Sequence, residues 1–175
     1  MKRLAALSAA ALAALPGLAA AAGFTFPSID GGTLDLDDWK GRPVLVANTA
    51  SLCGFTGQYA DLQAVYDRYR DDGLVVLAVP SDDFRQELSS AEEVKEFCEL
   101  NYDLDLPMTD ITHVRGRDAH PFYAWLRAQH GIEPRWNFYK VLLDGEGRPV
   151  ASFGSATKPS ARKVTSAIES LLAAR

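Results

Sequence analysis

The sequence predicts an α/β fold: a central mixed β-sheet flanked by helices, with an N-terminal β-hairpin ahead of it. Three observations carry that expectation. Two near-continuous apolar runs, "PVLVANTAS" from Pro43 and "LVVLAVPS" from Leu74, have the pattern of strands buried on both faces. Between them, "TGQYADLQAVYDRYRDDG" spaces Tyr59, Leu62, Val65, Tyr66 and Tyr69 along one face of a helix. Strand, helix and strand in that order make a right-handed βαβ unit with a parallel pair.

The remaining elements follow along the chain. "FTFPSIDGGTLDLDDWKGR" alternates around Asp30-Gly31-Gly32, which predicts a small hairpin. The helix after the first buried run has Thr56 as its N-cap and Gly73 as its stop. "SSAEEVKEFCELNY" reads as a helix capped by Ser89 or Ser90, with Glu92 and Glu93 in its first turn. "DAHPFYAWLRAQHG" is a helix ending at Gly131, and "NFYKVLLDGEGRPVASFG" is a hairpin turning over Asp144 to Gly147. "PSARKVTSAIESLLAAR" is a terminal helix opened by Pro159. This is the element order of a thioredoxin-like α/β sandwich with one extra helix and the N-terminal hairpin. Such folds place their chemistry at the carboxyl ends of the central strands.

A chain of 175 residues fits one domain, and 47% hydrophobic with 23% charged residues is ordinary for a soluble globular protein. The net charge of -5 argues against nucleic acid as a partner. The first 22 residues stand apart. Lys2 and Arg3 precede a Leu/Ala-rich stretch broken by Pro16, and the small residues Ala19 to Ala22 follow. This is the layout of a secretory signal peptide over residues 1–22, with the domain over 23–175. The alternative is an uncleaved anchor, but the apolar run is short against the ~20 residues of a bilayer span. The expected location of the mature chain is therefore periplasmic or secreted, with no stable membrane span after cleavage.

Two cysteines remain after that cut, Cys53 and Cys98. In an oxidising compartment an even number suggests one disulfide, although a domain of this size folds without one. Cys53 falls just after the first buried strand and just before a helix. A free thiol has a pKa of ~8.5, and helix N-terminal N–H groups lower it, so one reading is a reactive thiolate. The other is a buried cysteine acting as a small hydrophobe. Position alone leaves both open. Residue 56 is Thr, so no C-x-x-C dithiol is present; Ala50 and Gly57 exclude Thr-x-x-Cys and C-x-x-x-C arrangements. A lone thiol suits attack on a peroxide to give a sulfenic acid that a second thiol resolves.

At this point "NTASLCGFTGQYADLQAVYDRY", "EEVKEFCELNYDLDLPM", "WNFYKVLLDGEGRPV" and "SATKPS" resemble the glutathione peroxidases, and the resemblance spans about Phe24 to Arg175. It implies a hydroperoxide reductase of the cysteine-containing, non-selenium type, acting on hydrogen peroxide or organic (lipid) hydroperoxides. Cys53 matches the peroxidatic residue, and Trp136 and Asn137 match two members of the family's catalytic tetrad. An indole N–H and an amide N–H₂ are neutral donors that stabilise a thiolate and a departing oxygen. The fourth member departs from the pattern. Where the family has Cys-Asn-Gln-Phe-Gly, this chain has Ser81, Asp82, Asp83 and Phe84, with one residue missing after the Phe. Asp83 stands at the Gln position, and an ionised Asp accepts but cannot donate. Four arrangements are open: a protonated donor, a carboxylate turned away with Gln86 or a backbone N–H in its place, a base for the thiol proton, or a solvated loop carboxylate.

Cys98 lies on a helix resembling the one that carries the resolving cysteine in thioredoxin-dependent members of the family. The resemblance implies a Cys53–Cys98 disulfide that an external dithiol protein reduces; a permanent disulfide and an inert Cys98 are the alternatives. Only Ile132, Glu133 and Pro134 separate "RAQHG" from "RWNF", where tetrameric members carry an insertion, which implies a monomer. With no arginine cluster for glutathione carboxylates, a thioredoxin-like reductant is expected ahead of glutathione. His113, His120 and His130 form no ligand pattern, so no metal, haem, flavin or other cofactor is expected. The competing functions are a peroxide sensor or redox relay, and a catalytically weak thioredoxin-fold binding module.

Overall fold

Six consecutive buried positions in each of two strands set the architecture. The structure, a computed structural model, describes Ala21 and residues 23–174. The signal-peptide assignment to residues 1–22 therefore lies, Ala21 apart, outside the described residues. β1 (Thr25–Pro27) and β2 (Thr33–Asp35) pair antiparallel across the expected Gly31-Gly32 turn, and a short 3-10 turn, Leu36–Trp39, follows. β3 (Val44–Thr49), α1 (Gln58–Tyr69) and β4 (Val75–Pro80) form the βαβ unit, with β3 and β4 parallel. After α2 (Ala91–Tyr102) and α3 (Pro121–His130), β5 (Lys140–Leu143) and β6 (Pro149–Phe153) make the late hairpin, and α4 (Arg162–Ala173) closes the chain. The sheet order is β4-β3-β5-β6, with β5 antiparallel to both neighbours.

Alternation along the strands divides the core. Leu45, Ala47, Val76, Ala78 and Leu142 pack with Leu62 and Val65 of α1, Val94 and Cys98 of α2, and Ile168 of α4. Val44, Val46, Val75, Leu77 and Val141 pack with Phe26 of β1, Leu36, and Phe122 and Leu126 of α3. Both faces of β3 and β4 are thus covered, which is why their sequences read as unbroken apolar runs.

Some element ends differ from expectation. The cap of α1 is Gly57, without a side-chain hydrogen bond, and not Thr56. Thr56 lies one residue outside, in a turn where its carbonyl accepts from Tyr59 N. The helix also stops at Tyr69, ahead of Gly73. Of the two serines before α2, Ser90 caps, accepting from Glu93 N, while Ser89 donates its hydroxyl to the Glu93 carboxylate. Pro159 does not open α4; the helix starts at Arg162 after Ala161, and Pro159 is buried in the preceding turn.

One buried polar residue ties the sheet to the loops above it. Lys140 of β5 is fully buried; its Nζ donates to Gln58 Oε1 at 2.8 Å and to the Thr157 carbonyl at 2.5 Å. Gln58 Nε2 in turn donates to the Ser155 carbonyl at 2.6 Å. Burial holds the Lys140 ammonium down to about 8, below its ordinary 10.5. The folded chain then releases this proton before the unfolded chain does, so the group makes stability rise between about pH 8 and 10.5. Lys140→Met is expected to cost about 1–3 kcal/mol in urea unfolding at pH 7, because Gln58 Oε1 loses its donor. The difference between the two proteins should widen from pH 7.5 to 9 if the Lys140 proton is lost in the folded state.

Candidate active site

The carboxyl ends of β3 and β4 deliver the chemistry-bearing residues. β3 ends at Thr49, and residues 50–57 turn into α1 with Cys53 at the centre of the turn. Cys53 is 4% exposed, and its Sγ accepts the Phe55 backbone N–H at 3.4 Å. Gly57 caps the helix four residues later, somewhat further off than expected. The surroundings are mixed: Leu52, Phe55 and Trp136 are exposed apolar side chains, and an open groove of about 200 Å³ is lined by Gly54, Phe55, Gly57, Gln58, Ala156 and Lys158.

Asn137 comes to this region from the segment before β5. Its side chain is fully buried, its Nδ2 donates to Gln86 Oε1 at 2.9 Å, and its Oδ1 has no hydrogen-bond partner. The Gln86 carbonyl accepts from Leu52 N at 2.8 Å, so Gln86 bridges Asn137 to the Cys53 turn. Trp136 is 42% exposed, which sets it apart from a core aromatic, and its ring packs on Phe84 with centroids 5.2 Å apart.

Asp83 is engaged elsewhere. One oxygen is 2.7 Å from His113 Nδ1, and the other accepts from Val114 N at 2.6 Å and Arg115 N at 3.1 Å. The Arg115 guanidinium sits 5.1 Å over the Phe84 ring, so the 113–115 segment buttresses the ring on which Trp136 leans. The geometry is that of a carboxylate committed to its own loop, with Gln86 meeting Asn137. Arg85, where the family pattern has a glycine nearby, takes a left-handed φ of 56° that costs a side-chain-bearing residue ~1–2 kcal/mol.

Two residues not singled out from sequence hold this arrangement. Asn48, on β3, makes four bonds to the 136–139 segment. Its N–H donates to the Tyr139 carbonyl, its carbonyl accepts from Phe138 N, its Nδ2 donates to the Trp136 carbonyl, and its Oδ1 accepts from Tyr139 N. Phe138 is held at a φ of 58° within this bend. Glu87, 8% exposed, accepts from Ser51 N at 2.8 Å and Leu88 N at 2.9 Å through one oxygen. A polar residue inside an apolar strand run was the available signal for Asn48; Glu87 carried none beyond its nearness to Gln86.

Cys98 lies on α2, 1% exposed, and both cysteines are free thiols in this structure. Burial pushes the Cys98 thiol up to about 12; Tyr59 acts against this, and the Glu87 and Glu99 carboxylates add to it. Among the described residues no group of three or more His, Cys, Asp or Glu side chains is placed to hold a metal ion, and no helix is long and apolar enough to cross a membrane.

Residues 22–127 match the family model described as Glutathione peroxidase. The chain belongs to the glutathione peroxidase family. A hydroperoxy fatty acid reductase of Synechocystis is 39% identical over 86% of this chain and 94% of its own length. A glutathione peroxidase-like peroxiredoxin of Saccharomyces cerevisiae is 41% identical over 81% of this chain and 90% of its own. The crystal structure of T. cruzi GPX1 superposes with a TM-score of 0.68 at 29% identity, covering 87% of this chain and 96% of that one. The fold is accordingly thioredoxin-like, and the activity of the family is thiol-dependent reduction of hydroperoxides.

Three variants test the frame of this candidate site. Asn48→Ala leaves the Trp136 carbonyl and the Tyr139 N–H unpaired and is expected to lose about 2–4 kcal/mol in chemical denaturation, together with a slower reaction of Cys53 with hydrogen peroxide. Asp83 beside His113 raises the imidazole above its ordinary 6.5. The stability this pair contributes is therefore present below about pH 6.5 and fades as pH rises through the raised value. Because His113 is exposed, the effect is small. Asp83→Ala is expected to remove that pH dependence from the unfolding midpoint, and Gln86→Ala to slow Cys53 oxidation more than Asp83→Ala does.

Proposed function

We propose that Cys53 is the peroxidatic residue, that Trp136, Asn137 and Gln86 order its surroundings, and that Cys98 resolves the oxidised form. The observation that carries this is the position of Cys53. A nearly buried thiol stands at a strand-to-helix turn and receives a backbone N–H, and the preceding residue of that turn, Leu52, is bridged through Gln86 to the buried Asn137 amide. The thiolate attacks one peroxide oxygen and the O–O bond breaks. The attacked oxygen keeps its hydrogen, so Cys53 becomes a sulfenic acid, and the departing alkoxide or hydroxide takes up the proton the thiol had released and leaves as alcohol or water. Neutral donors serve this step because they stabilise developing charge on oxygen without holding the sulfur in an ion pair.

The exposed Leu52 and Phe55 and the groove beside them favour a hydroperoxide with an apolar body, in keeping with the fatty-acid substrate named for the Synechocystis relative. A protein dithiol suits the same surface better than glutathione, since the groove presents one cation, Lys158, among its lining residues. The short 131–135 connection supports a monomer, and the pattern of residues 1–22 supports export to the periplasm or beyond. Asp83 serves here as a loop anchor for the Phe84–Trp136 stack.

Cys53→Ser is expected to abolish peroxide consumption with a dithiol reductant, and Cys98→Ser to permit one stoichiometric oxidation and then stop. Equal turnover in either variant and the unaltered protein, measured by coupled peroxide assay, would remove the corresponding role. Burst oxidation followed by a stable mixed disulfide with a partner would instead identify a relay.

A further inference from the structure

Arg85 holds a backbone conformation that most side chains avoid. Its φ of 56° lies in the left-handed region, and its side chain is exposed. Glycine would take this conformation freely, whereas arginine carries it at a cost of ~1–2 kcal/mol. Nothing within the chain offsets that cost. The Arg85 N–H closes a turn on the Asp82 carbonyl at 2.8 Å, a bond that glycine would make equally well. Among the described residues its guanidinium has no ion-pair, hydrogen-bond or ring partner. The carboxylates of the same loop are engaged elsewhere: Asp82 with Glu87 N, Asp83 with the 113–115 segment, and Glu87 with Ser51 N.

Arg135 repeats the pattern on a second segment. It is exposed, has no partner among the described residues, and immediately precedes Trp136. Arg115, also exposed, lies over the Phe84 ring against which Trp136 packs. Hydrogen bonds gather these segments at the Cys53 turn. Leu52 N donates to the Gln86 carbonyl, and Asn137 Nδ2 donates to Gln86 Oε1. Three guanidinium groups are thus carried by the segments that meet at the exposed Leu52 and Trp136, on a chain whose net charge is -5. An apolar centre with a charged rim is the anatomy of a protein interface.

We propose that Arg85 and Arg135, with Arg115 beside them, dock an acidic protein dithiol that reduces the oxidised protein. This rests on the dithiol reading made above and narrows it to the Leu52–Trp136 rim. The groove lined by Phe55, Gln58 and Lys158 includes none of these arginines and is left to the hydroperoxide. Guanidinium groups stay charged at every working pH and pair bidentately with carboxylates. Three of them on separate segments suit a broad acidic face, whereas a small anion such as glutathione calls for groups converging on one pocket. Such docking is fast at low salt and slows as salt screens the rim. The strained backbone at Arg85 is then kept because its charge acts on a partner.

The test follows turnover of hydrogen peroxide by the full chain with a thioredoxin of negative net charge, kept reduced by its reductase. Arg85→Gly removes one charge and relieves the backbone; Arg135→Glu reverses another. The expected result is a KM for thioredoxin raised about fivefold by each variant and more than about tenfold by the pair, with kcat retained. The thermal midpoint of Arg85→Gly should equal or exceed that of the unaltered protein, which separates lost docking from lost folding. Oxidation of Cys53 by hydrogen peroxide without dithiol, read by mass in a single turnover, should stay within about twofold. Raising salt from about 20 to about 300 mM should weaken thioredoxin turnover in the unaltered protein and far less in the double variant. A thioredoxin KM within about twofold of the unaltered value in the double variant overturns the proposal, as does an equal slowing of Cys53 oxidation. A loss confined to a carboxylate-bearing hydroperoxide, or to binding of anionic lipid vesicles, overturns it too by assigning the rim to substrate or membrane. If glutathione reduces the unaltered protein and thioredoxin does not, the dithiol reading itself falls, and the docking face with it.

Discussion

The active site depends on one side chain that performs no chemistry. Asn48 stands one residue from the end of a strand buried on both faces, where a polar group is tolerated only if every polar atom is paired. It meets that condition by bonding to three residues of the 136–139 bend, through both backbone and side chain. The same bonds hold Phe138 in a left-handed conformation that an isolated chain would avoid, and they fix where Trp136 and Asn137 leave the backbone. β3 is also the strand that runs into the Cys53 turn. One residue thus sets the spacing between the thiol segment and the donor segment, although they are far apart in sequence.

The sheet explains why the spacing can be kept. β3 lies between β4 and β5, so its ends cannot shift without breaking a parallel ladder on one side and an antiparallel ladder on the other. The two apolar layers oppose slippage further, since moving the register by one residue would exchange the residues facing α1 with those facing α3. Above this rigid floor the turns are held by polar anchors: Lys140 and Gln58 for the 155–157 segment, Asp83 for 113–115, and Glu87 for the turn before Cys53. Asp83 is instructive here. Its carboxylate gathers two backbone N–H groups and an imidazole, so its charge is spent on loop geometry, and Gln86 supplies the amide that meets Asn137.

How far the sequence discloses this follows from the range of each interaction. The strands, the four helices and both hairpins were legible because apolar periodicity and turn residues act locally. Helix ends were less so. Thr56 has the right chemistry for a cap, but the Cys53 turn runs one residue further and leaves Gly57 there; Pro159 is taken into the core before α4 begins. The positions of Cys53, Trp136, Asn137 and Cys98 were visible through resemblance to a family, and Gln86 was one of the replacements open for the Gln position, whereas the parts played by Asn48 and Glu87 depend on contacts between segments dozens of residues apart. No local pattern encodes such contacts.

The two thiols end up in unequal surroundings, and the inequality has a direction. Cys53 sits at the open end of the sheet beside exposed apolar side chains and a groove. Cys98 lies on the buried face of α2, where burial pushes its thiol up to about 12. A resolving thiol that ionised freely would compete for peroxide and for oxidants in general, because the thiolate is the nucleophile. In the proposed sequence of reactions, keeping Cys98 neutral would reserve the first step for Cys53 and leave the Cys98 proton to be removed at the second.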